Sequence, residues 1–299
     1  MRVLITGGTG LLGKALIEVD AASSAQITAI YYGSYSMPSD SRAEYCNADI
    51  CHSAEIEEIF RKSKPEAVIH TAGNANVDLC EKNYSLGWKS NVAGTQVVLD
   101  ACQRHHAKMV FISTNAVFNG ENPPYSEDAE PQPINHYGKM KLRAEHMVKE
   151  SSLPYLVIRP ILMYGWNHPC ERSNTVTWLI EKLGKKEPVH MVNDVYENPL
   201  YNLACAEMIW ALIVTGSQGI YHLAGKDVVN RYEFTKLIAD VFKLDKSLLH
   251  EVASDYFSGI APRPANTSYN TAKIEKELGI SLAGLKESLA LMRDSAQTR

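Results

Sequence analysis

A glycine-rich turn near the start of the chain constrains the fold more than any other feature. Residues 2–6, RVLIT, have the apolar, β-prone character of a buried strand, and a helix-forming run follows residue 10. Glycines between them permit a tight turn, a close approach of backbone to a ligand, and close packing of helix on strand. Unpaired N–H groups at the start of such a helix attract phosphate. The spacing therefore predicts a dinucleotide site formed by Gly7, Thr9, Gly10, Leu11, Leu12 and Gly13.

The end of the second predicted strand, residues 26–33, bears on the choice of dinucleotide. NAD sites commonly place an acidic residue there, about 20 residues past the glycine loop, to bind the ribose hydroxyls. Here the strand ends in the residues YYGS, and the first carboxylate after it is Asp40. The missing carboxylate favours NADP, with NAD as the alternative. A 2′-phosphate here could contact Ser34, Ser36 or Arg42.

Strands and helices alternate along the first half of the chain. Further strands are predicted at residues 43–48, 67–72, 109–113 and 155–159, and helices at 54–62, 86–106 and 137–150. Right-handed crossovers on this pattern give an α/β fold with a Rossmann-like, doubly wound parallel sheet. Ligands bind beyond the carboxyl ends of such strands. The cofactor residues expected at those ends are Asp49, Ile50, Ala72, Gly73 and Ser113.

The regular alternation weakens after Gly165. Helices are predicted at residues 174–184, 203–214, 231–242 and 271–278, with short strands between them. We therefore expect a dinucleotide-binding domain over residues 1–165 and a smaller α/β substrate domain over 166–299, with interleaved segments. The cleft between two such units is the expected substrate site.

One constellation of side chains points to chemistry. Tyr137 and Lys141 are four residues apart on a predicted helix and share a face, and Thr114 follows a predicted strand. A neighbouring ammonium is expected to lower the pKa of the tyrosine toward neutral pH. Tyr137 could then deliver a proton to a carbonyl oxygen, Thr114 could polarise that oxygen, and Lys141 could also contact the nicotinamide ribose.

The motifs together resemble a known group of enzymes. The segments GGTGLLG (7–13), STNAVFNG (113–120), YGKMK (137–141) and RPAN (263–266) resemble those of extended short-chain dehydrogenase/reductases. Within that group, the chain is similar to the dTDP-4-dehydrorhamnose reductase family and to the related regulatory β subunits of methionine adenosyltransferase. The resemblance implies an NADPH-dependent reductase of 4-keto-6-deoxy nucleotide sugars, in which Thr114, Tyr137 and Lys141 are catalytic.

The same resemblance assigns further residues. It implies that Asn91 lies at the cofactor, and it places a set of residues at the nucleotide sugar, namely Asn115, Val117, Tyr164, Arg263 and Asn266. The chain departs from the family where Asn115 and Ala116 replace an aspartate and a tyrosine. The lost carboxylate disfavours a 4,6-dehydratase, which needs acids at that point. An epimerase is disfavoured by the missing NAD-type acid. A non-enzymatic, NADP-binding regulatory subunit remains the main alternative, followed by another nicotinamide-dependent nucleotide-sugar enzyme.

Composition limits the possible partners and compartments. The net charge of −4 provides no basic footprint for nucleic acid, and the longest apolar run, residues 208–214, is too short to cross a membrane. With a strand beginning directly after Met1, no signal peptide is expected, and the predicted location is cytoplasmic. The six cysteines contain no C-x-x-C pair, so reduced thiols and no bound metal are expected. The sequence is compatible with a homodimer and does not decide the oligomeric state.

Overall fold

The computed structural model describes residues 1–35, 42–168 and 171–296. Ser36, one of the residues expected near the 2′-phosphate, and Cys170 lie outside these ranges. The strands are β1 (Arg2–Thr6), β2 (Gln26–Tyr31), β3 (Ala43–Asn47), β4 (Ala67–His70), β5 (Lys108–Ile112), β6 (Tyr155–Pro160), β7 (Met163–Tyr164), β8 (Val189–Val192), β9 (Tyr196–Glu197), β10 (Leu200–Tyr201), β11 (Gly219–Leu223), β12 (Val229–Asn230) and β13 (Leu249–Val252).

Eleven α-helices are found in the part of the chain that the structure describes. They are α1 (Leu11–Glu18), α2 (Ser53–Ser63), α3 (Val77–Lys82), α4 (Tyr84–Trp88), α5 (Gly94–His105), α6 (His136–Glu150), α7 (Thr175–Gly184), α8 (Asn202–Val214), α9 (Arg231–Phe242), α10 (Ala272–Leu278) and α11 (Leu285–Ser295). A π-helical turn, Lys89–Ala93, joins α4 to α5, so the helix predicted over residues 86–106 is continuous but irregular.

The predicted doubly wound parallel sheet is confirmed. Seven parallel strands lie in the order β3-β2-β1-β4-β5-β6-β11. The winding direction therefore reverses between β1 and β4, and the crevice at this point is where ligands bind in such sheets. β5 is apolar and almost fully buried, as is usual for a parallel strand covered on both faces.

Helices cover both faces of this sheet. Apolar side chains of α1 and α8 form a core on one face, and those of α2, α5 and α6 form a core on the other. Trp210 of α8 donates a hydrogen bond from its indole nitrogen to the carbonyl oxygen of Leu16, at 2.9 Å, which fixes α8 against α1.

The C-terminal residues have two roles in the fold. α7, α9 and α11 enclose a separate apolar core with the short strands β8 and β13. β11, in contrast, pairs with β6 and completes the large sheet, and α10 packs beside it. The chain thus returns to the large sheet after residue 166. Among the described residues, no helix is long and apolar enough to cross a membrane, and no group of His, Cys, Asp or Glu side chains is placed to hold a metal ion.

Candidate active site

The glycine loop between β1 and α1 forms an open cradle. Gly7 has a φ of +71°, in the left-handed region, and its carbonyl oxygen accepts a hydrogen bond from the Gly10 nitrogen at 3.0 Å. A Cβ on Gly13 would lie 2.1 Å from the same oxygen, so a side chain there would prevent this close approach of α1. Among the residues that the structure describes, a Cβ on Gly10 would meet that oxygen alone within 4 Å, at 3.3 Å. The outer face of the turn is therefore open, and the N–H groups that begin α1, from Leu11 and Leu12, suit a pyrophosphate.

A carboxylate from the C-terminal half lies beside this loop. The hydroxyl of Thr9 donates a hydrogen bond to Oε1 of Glu171 at 3.1 Å. Thr9 is buried, and Glu171 belongs to the segment that leads into α7. A negative charge here opposes a phosphate bound at the loop. No local pattern in the sequence predicts this contact.

Arg42 does not lie where the sequence analysis placed it. It immediately precedes β3, and β3 runs parallel to β2, so Arg42 is at the amino edge of the sheet, opposite the cofactor edge. Its guanidinium donates hydrogen bonds to the carbonyl oxygens of Glu18 and Val19, at 3.4 and 3.3 Å. The expected contact of Arg42 with a 2′-phosphate is therefore wrong. Ser34 does follow the carboxyl end of β2 and is exposed there.

Asp49 and Ile50 follow β3 at the cofactor edge, as expected. Burial alone would raise the pKa of Asp49, but a hydrogen bond from the Cys51 nitrogen and the charge of Lys89 hold that pKa below its ordinary value. Ile50 is buried, and its Cδ1 would lie 2.8 Å from a Cβ on Gly94. Asp49 is thus an ionised acceptor at the edge, while the side chain of Ile50 contributes packing.

The turn after β4 is held from behind by Asn91. The side-chain oxygen of Asn91 accepts a hydrogen bond from the Asn74 nitrogen at 3.0 Å, and its amide nitrogen donates to the Asn74 carbonyl at 3.1 Å. A Cβ on Gly73 would lie 2.6 Å from that side-chain oxygen. Asn91 is buried within the π-helical turn, and both ends of its amide bind the backbone. Asn91 therefore shapes the turn at Ala72 and Gly73 through its side chain, and its expected place at the cofactor stays a prediction.

A buried histidine that the sequence analysis missed connects the same region. His70 Nε2 lies 3.1 Å from the hydroxyl of Thr95, which itself donates to the Asn91 carbonyl, so Nε2 must carry the proton. Its Nδ1 accepts from the hydroxyl of Thr6 at 2.7 Å. Burial, with the positive charge of Lys141, lowers the pKa of His70 to about 3. His70 of β4 is thus neutral, and its two ring nitrogens form hydrogen bonds with β1 and α5.

Two of the three predicted catalytic residues, Thr114 and Tyr137, meet at the carboxyl end of β5. Thr114 follows β5 and accepts a hydrogen bond from the Ala116 nitrogen at 3.1 Å. The phenol of Tyr137, in the first turn of α6, hydrogen bonds with the side chain of Thr114. A Cβ on Gly138 would lie only 2.1 Å from the carbonyl oxygen of Ala116. This glycine therefore allows α6 to approach closely enough for Tyr137 to reach Thr114.

Lys141 lies one turn further along α6. It is buried, and its Nζ is 4.2 Å from the centroid of the Phe111 ring. Burial lowers the pKa of Lys141 to about 7, although the Glu145 carboxylate acts to raise it. At neutral pH the side chain is therefore divided between ammonium and amine.

The pKa of Tyr137 changes in the direction opposite to our expectation. Burial raises the pKa to about 12, and the hydrogen bond with Thr114 only partly opposes that rise. The expected lowering required a full positive charge on Lys141, but burial disfavours that charge. Tyr137 is accordingly a protonated phenol in this structure, which suits a proton donor more than a base.

Behind Lys141 lies a buried polar network. Ser113 donates a hydrogen bond to Oε1 of Glu145 at 2.5 Å, and Arg159 binds both carboxylate oxygens, at 2.9 and 2.7 Å. Arg159 also lies 3.3 Å from Nε2 of His222. The Ser113 hydroxyl therefore points into the protein, and the expected contact of Ser113 with the cofactor stays a prediction that only its backbone could meet.

Two of the residues assigned to the substrate lie in cores. Val117 is fully buried within the core on the α1 side of the sheet. Tyr164 is fully buried as well, stacked on Tyr201 with ring centroids 5.8 Å apart, and it packs against Phe234. Their expected contact with a substrate is not supported, because neither side chain reaches a surface.

The other three substrate candidates lie at contacts between the two halves of the chain. Arg263 pairs with Asp78 at 3.0 Å and donates to the Ala261 carbonyl, and its guanidinium stays partly exposed. The side-chain oxygen of Asn266 accepts from the Ser268 nitrogen at 3.0 Å. Asn115 donates from its amide to Glu197 and Thr267, at 3.0 and 2.7 Å. Glu197 and Thr267 were not anticipated, and both contact the residue that directly follows Thr114.

Known proteins are similar to this chain over nearly its whole length. Methionine adenosyltransferase 2 subunit beta of Xenopus tropicalis is 31% identical over 299 residues, covering 96% of this chain and 87% of that protein. The probable low-salt glycan biosynthesis reductase Agl14 of Haloferax volcanii is 25% identical over 299 residues, with 98% and 97% covered. The crystal structure of dTDP-4-dehydrorhamnose reductase from Bacillus anthracis, in complex with NADP, superposes with a TM-score of 0.87 at 28% identity, covering 98% of this chain and 99% of that one.

A family profile matches almost the whole chain. The RmlD substrate binding domain profile covers residues 1–298. The similarity to dTDP-4-dehydrorhamnose reductases and to methionine adenosyltransferase β subunits, expected from the motifs, is confirmed by the relatives found. The glycine cradle and the Thr114–Tyr137–Lys141 group lie on the fold that these proteins share. The chain belongs to the RmlD substrate-binding domain family.

Proposed function

We propose that the protein is an NADPH-dependent reductase of a 4-keto-6-deoxy nucleotide sugar. The observation that carries this proposal is the hydrogen bond between Thr114 and Tyr137 at the sheet edge that also holds the glycine cradle, with the buried Lys141 one turn further along α6. The structural similarity to an NADP-bound dTDP-4-dehydrorhamnose reductase supports it. The absence of a carboxylate next to Thr114 in the sequence argues against elimination chemistry at this site.

The cradle fits a nicotinamide dinucleotide. The open face of Gly10 and the free N–H groups of α1 would hold the pyrophosphate, and the backbone at Ala72 and Gly73 would lie along a ribose. Ser34, exposed after β2, would lie near the adenine ribose. When bound, NADPH supplies the hydride that reduces the carbonyl carbon.

The chain's own side chains would manage the proton and the developing negative charge. Tyr137 is protonated at neutral pH and would donate its proton to the carbonyl oxygen. Thr114 would donate a hydrogen bond to the same oxygen and so stabilise the charge that forms on it. Lys141, when protonated, would stabilise the phenolate left on Tyr137.

At the substrate, Arg263 would provide the fixed cation. Its guanidinium is tied to Asp78 but partly exposed, which suits a diphosphate oxygen at the entrance. Asn266 lies on the same C-terminal segment. Asn115, next to Thr114, would lie near the sugar.

A regulatory role is the second candidate. It is favoured by the 31% identity to a protein named as a subunit of methionine adenosyltransferase. Such a role would use the dinucleotide-binding fold to bind a partner and would not require turnover.

One experiment separates the two functions. Purified protein is incubated with NADPH and a panel of 4-keto-6-deoxy nucleotide sugars, and absorbance at the nicotinamide band is followed. We expect oxidation with at least one sugar, abolished in Tyr137→Phe. No oxidation, together with co-elution with a methionine adenosyltransferase catalytic subunit on gel filtration, would replace the reductase with the regulator.

A further inference from the structure

A chain of one ion pair and two hydrogen bonds runs from the C-terminal half to the predicted catalytic threonine. Arg231 Nη2 lies 2.7 Å from Oε2 of Glu197, and Oε1 of Glu197 accepts from the Asn115 amide at 3.0 Å. The side-chain oxygen of Asn115 in turn accepts from the Thr114 hydroxyl at 3.3 Å. Four side chains from three distant segments are therefore linked in series.

Glu197 determines which way the Asn115 amide faces. An ionised carboxylate can only accept hydrogen bonds, so the atom of Asn115 that faces Glu197 must be the nitrogen. The second proton of the same nitrogen is donated to the hydroxyl of Thr267, at 2.7 Å. With the nitrogen held by two acceptors, the amide oxygen is left facing Thr114.

The orientation of the amide matters for the hydroxyl of Thr114. That oxygen already accepts a hydrogen bond from the Ala116 nitrogen and hydrogen bonds with the Tyr137 phenol, and its single proton has a long, weak contact with the Asn115 oxygen. The proton can therefore turn to a substrate oxygen at little cost. A reversed amide would present N–H groups to Thr114 and compete for the lone pairs that set the direction of its O–H bond.

The elements that carry Glu197 are firmly held. Glu197 is 7% exposed and Thr267 is 1% exposed. The adjacent Tyr196 donates from its nitrogen to the Ala265 carbonyl at 2.7 Å and accepts at its carbonyl from the Thr267 nitrogen at 3.2 Å. β9 and the 265–267 segment thus move together, and both are anchored to the end of β5 through Asn115.

We propose that Glu197 is a positioning residue that acts on Thr114 through Asn115. It fixes the Asn115 amide so that the Thr114 hydroxyl is free to donate to the carbonyl oxygen of the substrate. This role rests on the reductase function proposed above. Glu197 contacts neither Thr114 nor the reacting atoms, and it acts by orientation and by the negative charge that Arg231 balances.

Asn115 and Glu197 allow a matched exchange, in which the amide and the carboxylate trade positions. Asn115→Asp places two carboxylates about 3 Å apart, which is unfavourable for both. Glu197→Gln in the same chain removes that repulsion, because the glutamine nitrogen can donate to the new carboxylate at position 115 while its oxygen faces Arg231. The doubly exchanged protein therefore recreates an oriented acceptor beside Thr114.

The test compares kcat and KM of wild type, Asn115→Asp, Glu197→Gln and the double variant, with NADPH affinity and melting temperature as controls. We expect Asn115→Asp to lower kcat by roughly 30–300-fold and Glu197→Gln by about 3–10-fold, with NADPH affinity unchanged. The double variant should return to within about fivefold of wild type. Glu233→Gln, on an exposed ion pair of α9, provides the control and should change nothing.

Two results would overturn the proposal. One is a double variant as slow as Asn115→Asp alone, and the other is wild-type kcat in Asn115→Asp. If the wild type reduces no sugar, the proposed reductase function is wrong. The orientation of the Asn115 side-chain amide is then tested separately, by NMR of asparagine-¹⁵N-labelled protein. The Asn115 side-chain amide signal should lose its carboxylate-bonded shift in Glu197→Ala, and an unchanged signal would also overturn the proposal.

Discussion

Glu145 and Arg159 form a bidentate ion pair in the interior, with N–O distances of 2.9 and 2.7 Å and side-chain exposures of 0% and 1%. The pair joins α6, which carries Tyr137 and Lys141, to β6. Ser113, the residue before Thr114, donates to the same carboxylate. The ion pair therefore connects the helix and the strand end that together form the candidate catalytic group.

Breaking this pair from one side should destabilise the protein strongly. Arg159→Met leaves the Glu145 carboxylate buried without its main partner, and we expect a loss of about 3–5 kcal/mol in the free energy of unfolding. The double variant Glu145→Gln/Arg159→Met removes both charges of the pair and should lose less. Urea denaturation measures both, and a single variant within about 1 kcal/mol of wild type would contradict this interpretation.

Tyr137→Phe tests the proton donor. The variant keeps the ring but removes the hydroxyl, so kcat should fall by roughly 10²–10⁴-fold while NADPH affinity stays nearly unchanged. Steady-state turnover and fluorescence titration with NADPH provide the two measurements. An unchanged turnover would remove Tyr137 from the mechanism.

The low pKa of Lys141 should appear in the pH dependence of reduction. The ammonium form stabilises phenolate on Tyr137, and the pKa of Lys141 is about 7, so protonated lysine is present below pH 7 and lost above it. We expect kcat/KM to be level below pH 7 and to decline as pH rises through that value, by at most about tenfold per unit. In Lys141→Arg, the side chain stays charged, and the decline should disappear. A rate that rises through pH 7 would be contrary to this role.

Two glycine variants distinguish the ligand-facing part of the loop from the packing part. Gly10→Ala adds a methyl that meets one protein atom, so the fold should be retained while NADPH affinity falls by about tenfold or more. Gly13→Ala places a methyl 2.1 Å from the Gly7 oxygen and should cost roughly 1–3 kcal/mol of stability. Thermal melts and NADPH titration of both variants check the distinction. Equal effects of the two variants on melting would refute it.

Removing the carboxylate beside Thr9 should strengthen cofactor binding. Glu171→Gln deletes a negative charge next to the phosphate cradle, and we expect NADPH affinity to rise by about 3–10-fold at low salt, with a smaller gain at high salt. Glu181→Gln, which changes the net charge equally on an exposed part of α7, is the control. A loss of affinity in Glu171→Gln would instead identify the carboxylate as a ligand for the cofactor.

Much of the fold could be predicted because parallel strands covered on both faces are short apolar runs with clear turn signals. The strands at residues 26–31, 67–70 and 108–112 are of this kind, and the predicted boundaries differ from those of the structure by one or two residues. The six-residue helix α3 was not predicted, because so short a helix depends on its cap and its packing more than on periodicity.

The sequence pattern itself places Arg42 away from a 2′-phosphate at the cofactor edge. Residues 43–48 were predicted as a strand parallel to residues 26–33, and a residue that precedes a parallel strand must lie at the amino edge. The positions of Val117 and Tyr164, unlike that of Arg42, could not be predicted. An apolar or aromatic residue after a strand can belong to a core or to a ligand site, and the sequence looks the same in both cases.

The contacts that sequence reasoning could not find are those made over long separations. Asn115 and Glu197 are 82 residues apart, and Thr9 and Glu171 are 162 apart. No local period or spacing relates such positions, so only the folded chain reveals that two carboxylates from its second half border the predicted site.

The placement of β11 has a practical consequence for anyone who wishes to isolate the dinucleotide-binding half. A fragment cut at residue 165 would leave β6 as a bare sheet edge with unpaired backbone groups, and it would expose the apolar side of α1 that Trp210 covers. Such a fragment should aggregate when expressed. The two halves must therefore be produced as one continuous polypeptide, and a swap of substrate specificity between relatives should exchange loops and retain residues 202–223 of the host.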